Sequence, residues 1–140
     1  MDRLDALPDG SLLVVDYKTG MTDVMPRNYR KLDDKTFSRD AIKKAVRSFQ
    51  LPLYCLLAGK SEGADVNAAL YYLRHAEREG GFKKLFRDED APETRREALS
   101  AYGDACGFIA NEIFDPTVPF TPDMEDPAAC EHCPFFYLCR

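Results

Sequence analysis

The sequence has no long apolar run. Its longest uninterrupted ones, Leu12 to Val15 and Leu53 to Ala58, fall far short of the ~20 residues a membrane helix requires, so insertion into a membrane is not expected. It also lacks the basic-then-apolar opening of a secretory signal, because Met1-Asp2-Arg3-Leu4-Asp5 is charged from the outset. Nothing directs export, and a cytoplasmic location is expected. Internal repeats and low-complexity tracts are absent. There is no excess of positive charge either: 19 Lys and Arg stand against 24 Asp and Glu, a net charge of -5. That balance argues against a protein that coats nucleic acid through a broad basic surface.

What is present suits one mixed domain, since 140 residues can bury roughly two-thirds of their extended-chain surface. The charge is unevenly spread. Residues 27–47 carry eight Lys or Arg against three Asp, whereas residues 112–140 carry six acids and one Arg. Lys43, Lys44 and Arg47 in the basic segment are candidate DNA contacts, although a solvated helix face plus a loop is the commoner origin of such a run.

The first elements read as a hairpin: Asp2 to Leu7, turn residues Pro8-Asp9-Gly10, then Ser11 to Tyr17 with the β-rich run Leu-Leu-Val-Val. An apolar run without alternation predicts a strand buried on both faces. It nevertheless ends in Asp16-Tyr17-Lys18-Thr19-Gly20, with charge where a core strand should be dry. Residues 20–37 read as a long loop, and Ser38 can cap the helix that follows. Ile42, Val46, Phe49, Leu53 and Leu56-Leu57 recur at helical spacing, with Pro52 kinking or restarting the helix. Gly59 to Ala64 reads as a loop, Asn67 to Arg74 as a third strand, and Phe82 to Phe86 as a fourth. Glu93 to Phe114, introduced by Pro92, reads as a long helix. Beyond Asp115, five prolines exclude regular structure, so residues 1–115 form the expected core and residues 116–140 a tail held by something else.

Asp16 and Lys18 lie two apart on a strand and so share a face, with Asp2 and Asp5 on the preceding strand. Carboxylate oxygens gathered in this way suit Mg²⁺ or Mn²⁺, and such ions can clamp a phosphodiester and activate water. In isolation Asp-x-Lys is common, and an ordinary ion pair at a strand end accounts for it.

The ordered set Asp2-Arg3-Leu4-Asp5, Leu13-Val14-Val15-Asp16-Tyr17-Lys18-Thr19-Gly20 and Gln50-Leu51-Pro52-Leu53-Tyr54 resembles the core of the PD-(D/E)XK nucleases of the RecB and AddB type. The resemblance implies an α/β (α+β) fold, a restriction-endonuclease-like mixed β-sheet flanked by helices. It implies a metal-dependent deoxyribonuclease of the exonuclease type, serving DNA repair or recombination beside a helicase or helicase-like partner. Asp2 and Asp16 would be metal-binding acids, the Tyr17 carbonyl a further ligand, and Lys18 the catalytic lysine. Asp5 is a weaker candidate. Gln50 and Tyr54, one helical turn apart, would approach the metal or the DNA backbone. In that family a helix with a His or Glu, and a Gly shortly before the first Asp, come earlier. An N-terminally incomplete domain is therefore expected.

Cys130, Cys133 and Cys139 cluster in the proline-rich tail. Close thiolates on an irregular segment suit a soft metal or an iron-sulfur cluster, and a disulfide is less expected in a cytoplasmic chain. The spacing resembles the AddB-type clasp, in which three C-terminal cysteines join one upstream cysteine around a [4Fe-4S] cluster. His132 could replace a ligand if zinc were bound, or could be a solvated loop residue. Cys55 and Cys106 fall on apolar helix positions and read as buried structural thiols. Two other functions remain open: a DNA-binding module with a structural metal or iron-sulfur site that does not cut, and a zinc-stabilised interaction domain in which Asp16-x-Lys18 is incidental.

Overall fold

A computed structural model describes residues 1–20, 24–26, 29–32, 37–75, 81–121, 130–131 and 133–138. The chain resolves into two compact units, Met1–Ala110 and Asn111–Arg140. In the first, strands β1 (Arg3–Ala6) and β2 (Leu12–Lys18) form the expected hairpin. Gly10 closes its turn at φ 84°, a conformation that glycine adopts without strain, and Asp9 Oδ1 accepts from the Ser11 amide at 2.9 Å.

Strand β3 (Val66–Tyr72) runs parallel to β2, and β4 (Phe82–Lys84) is antiparallel to β3, giving the mixed sheet β1-β2-β3-β4. A parallel pair needs a crossover. Helices α1 (Arg39–Val46) and α2 (Gln50–Glu62) supply it. Ser38 caps α1 by accepting from the Ala41 amide at 3.2 Å. Pro52 restarts the helical path rather than kinking it, because it falls in the first turn of α2, where its missing N–H has no helical acceptor to serve. One expectation fails here. The stretch from Gly59 is not a loop: α2 continues to Glu62, and Gly63, at φ 65°, ends it by donating to the Gly59 carbonyl at 2.9 Å. Helix α3 (Pro92–Phe114) begins at the expected proline.

Strand β2 is buried on both faces, as its unbroken apolar run predicts. On one side Val14 joins Ala68, Leu70 and Tyr72 of β3 beneath Leu51 and Cys55 of α2. On the other, Leu13, Val15 and Ala69 form a smaller cluster bordered by Tyr17 and Tyr71. A third cluster joins α1 to α3 through Ile42, Val46, Ala98, Tyr102 and Ala105, with Phe86. Fully buried Ile42, Leu51 and Leu70 each contribute about 1.5–3 kcal/mol by leaving water. Cys55 is buried as expected, and burial pushes its thiol up to about 12. Cys106 is only half-buried, because it lies beside, not on, the α3 stripe of Ala98, Tyr102 and Ala105. Among the described residues no helix is long and apolar enough to cross a membrane.

Candidate active site

The site grows from the alternation of β2. Val14, Asp16 and Lys18 share the face that α2 covers, so the apolar packing of Val14 against Leu51 and Cys55 continues, one and two steps along the strand, into polar contacts. The first turn of α2 supplies their partners. Gln50 and Tyr54, four apart, lie on one side of the helix, and both side chains reach Asp16.

The resulting network is closed. Lys18 Nζ stands 2.9 Å from Asp16 Oδ2 and donates to Gln50 Oε1 at 3.0 Å. Gln50 Nε2 donates to Asp16 Oδ1 at 3.2 Å and to the Tyr54 hydroxyl at 3.0 Å. Tyr54 in turn donates its own proton to Asp16 Oδ1 at 3.0 Å. Asp16 is only 5 % exposed. Burial would push its carboxyl pKa up, but the Lys18 ammonium and the Tyr54 hydroxyl outweigh that and hold it below the ordinary carboxylate value. For Tyr54, burial leads and the bond to Asp16 adds to it, so the hydroxyl holds its proton more firmly than a free tyrosine. The α-amino nitrogen of Met1 lies 2.9 Å from the same hydroxyl.

Asp2 completes the edge. The register Arg3↔Val15, carried one residue further, places Asp2 across from Asp16. Its Oδ2 accepts from the Tyr17 amide at 2.8 Å, and its own amide donates to the Val15 carbonyl at 3.2 Å. The Tyr17 side chain points to the other face, where its ring lies 5.9 Å from that of Tyr71. Asp5 stands apart from the cluster: it pairs with Leu13 in the ladder, and its carboxylate is held by the Arg3 guanidinium.

Asp2 and Asp16 offer hard oxygens at one strand edge, a donor set that fits Mg²⁺ or Mn²⁺. Among the described residues no three His, Cys, Asp or Glu side chains gather. A cation there would therefore draw its remaining ligands from backbone carbonyl, water and substrate, which is how Mg²⁺ is commonly held. Lys43 and Lys44 lie on the exposed side of α1, with Lys44 paired to Asp40 at 2.6 Å, and Arg47 follows at its C-terminal end. In the tail, half-buried Cys130 and Cys133 stand on a turn in which the Cys133 amide donates to the Cys130 carbonyl at 3.1 Å. Cys139 and His132 lie outside the described residues.

Sequence reading missed one residue that braces the site. Ser48 Oγ accepts from the Gln50 amide at 3.4 Å, steadying the start of α2. A serine just before a helical run is the signal that could have found it.

A four-stranded mixed sheet with flanking helices, carrying two acids and a lysine at one strand edge, is the architecture of restriction-endonuclease-like proteins. The sequence model of the PD-(D/E)XK nuclease superfamily matches residues 1–140, and the chain belongs to that superfamily. No curated protein and no solved structure matches it.

Proposed function

We propose that this chain is a Mg²⁺- or Mn²⁺-dependent deoxyribonuclease of the RecB/AddB type, hydrolysing phosphodiester bonds at DNA ends in repair or recombination. The observation that carries the reading is the closed network of Asp16, Lys18, Gln50 and Tyr54 beside Asp2. Buried charge of this kind costs stability unless it is fully partnered, and a fold has no structural need of it at a strand end. Superfamily membership supports the same reaction class.

Asp2, Asp16 and the Tyr17 carbonyl would hold the cation. When bound, it supplies charge neutralisation and an activated water. Lys18 places a positive charge against Asp16, where it stabilises charge developing on the attacked phosphate and orients the water. Gln50 fixes both Lys18 and Asp16 through the two ends of one amide, and Tyr54 fixes Asp16 Oδ1. The reaction adds water to phosphorus, breaks a P–O ester bond and leaves a proton on the departing oxygen. The resemblance to RecB and AddB also supports a helicase or helicase-like partner.

The test is cutting of linear DNA with Mn²⁺ by the unsubstituted chain, Asp16→Ala and Lys18→Ala. Cutting by the first alone is expected. Equal cutting by all three would refute the assigned site, and none by any would favour a DNA-binding module. For the tail, we propose that Cys130, Cys133 and Cys139 are ligands of a [4Fe-4S] cluster. The Cys130–Cys133 turn supports this by setting the two cysteines on one backbone turn. Iron content unchanged by Cys133→Ser would overturn it.

A further inference from the structure

Among the described residues, Arg47 is the one that is not glycine yet takes a positive φ, at φ 61° and ψ -37°. The Ser48 amide closes a three-residue γ-turn across it, donating to the Val46 carbonyl at 2.7 Å. This turn of positive φ is rare and strained for any residue with a Cβ. Glycine would make the same turn without that cost. The strain sits next to the candidate site. Ser48, the next residue, holds the Gln50 amide, and the Gln50 side chain reaches Asp16 and Lys18.

Charge separates Arg47 from Lys18 and Lys44 as well. Lys18 is paired with Asp16, and Lys44 with Asp40. Arg47 is exposed and has no hydrogen-bond or ion-pair partner among the described residues. A guanidinium offers a planar fork of donors suited to two phosphate oxygens. A free one, on a strained turn three residues before the amide that orders the site, has the chemistry and the place of a phosphate grip.

We propose that Arg47 binds a backbone phosphate of the DNA strand entering the Asp16 site, and that the γ-turn is kept, despite its strain, because it presents this guanidinium. The inference rests on the nuclease reading above and assigns the grip to Arg47 rather than to Lys43 and Lys44.

The experiment measures binding of a labelled single-stranded oligodeoxynucleotide in Ca²⁺, together with thermal unfolding, so that cutting is not part of the readout. Arg47→Gly and Arg47→Ala are expected to bind roughly tenfold more weakly. Their plots of log affinity against log salt should be shallower by about one. Arg47→Lys should recover part of the loss, and Arg47→Gly should melt at or above the unsubstituted chain because the strain is relieved. Unchanged affinity and slope in Arg47→Gly, or a lower melting temperature, would overturn the proposal and make the turn a helix junction only. Weaker binding by the Arg47 variants of a chain that never cuts would support it while removing the nuclease reading. Failure of the unsubstituted chain to bind DNA would overturn both.

Discussion

Asp16 and Asn67 are the buried polar or charged residues among those described, tyrosines counted with the core. They stand on adjacent parallel strands and on opposite kinds of partner. Asn67 is satisfied by backbone: its Nδ2 donates to the Phe86 carbonyl at 2.8 Å, and its Oδ1 accepts from the Phe86 amide at 3.1 Å and the Ala68 amide at 2.9 Å. Those groups are fixed by the fold, and nothing can replace Asn67 there without breaking the join between β3 and the segment after β4. Asp16 is satisfied by the side chains of Lys18, Gln50 and Tyr54, each of which can turn to a ligand, with the Met1 amino group 3.7 Å from its Oδ1. Burial therefore does not separate structure from function in this molecule. The exchangeability of the partners does.

The largest expected effect comes from breaking the exchangeable site. Asp16→Asn should lower DNA cutting by on the order of 10³-fold, about 4 kcal/mol of transition-state stabilisation, while shifting the melting temperature by only a few degrees. The amide keeps the shape and one acceptor, and Lys18, left without its carboxylate, keeps its bond to Gln50 and is 21 % exposed to water. A loss of cutting matched by a loss of folded protein would return Asp16 to the structural class. Asn67→Ala should do the reverse. It orphans the Phe86 carbonyl and the Phe86 and Ala68 amides, at a cost of roughly 3 kcal/mol or more, read as a lower denaturant midpoint. Cutting per folded molecule should hold.

A smaller effect tests the helix side of the network. Tyr54→Phe removes one donor to Asp16 without emptying the volume, so a drop of about tenfold in cutting is expected. Folding should be nearly unaffected. Gln50→Ala should cost more than Tyr54→Phe, because the Gln50 amide contacts Lys18, Asp16 and Tyr54 at once. The opposite order in single-turnover rates would mean that Gln50 is helix packing and not part of the site.

The contrast also explains which features could be read from sequence. The hairpin, the doubly buried β2 and the long α3 follow from short-range patterns, and Asp16 stood out because charge ended an apolar run. Ser38 and Pro92 marked helix starts by local chemistry. Asn67 gave no such signal, since its partners lie on Phe86, nineteen residues away, and a polar residue at a strand start looks ordinary. Asp5 reads in sequence as a weaker candidate than Asp2. The ladder separates them, because Asp5 pairs with Leu13. The length of α2 was missed for a similar reason: Gly59 lies inside the helix and Gly63 caps it, whereas a loop over Gly59 to Ala64 is what the sequence suggests. Arg47 read as one more cation in a basic segment, since nothing local to it announces a positive φ.

The smallest expected effect is in the acid limb of stability, and it bears directly on the pair. Asn67 does not titrate, whereas the Asp16 carboxyl is held below its ordinary value of 3.8 in the folded chain. A depressed folded pKa means that the unfolded chain binds the proton more readily. The contribution is complete at pH well above 3.8 and is lost as pH falls through the lower, folded value. Asp16→Asn removes that dependence. Measured by denaturant unfolding in chelator, its stability should fall less steeply than that of the unsubstituted chain as pH drops from about 5 into the acid range. Asn67→Ala should keep the unsubstituted slope, displaced downward at every pH. If Asp16→Asn instead showed the unsubstituted slope, Asp16 would titrate alike in the folded and unfolded chains. Lys18 and Tyr54 would then not be holding its charge.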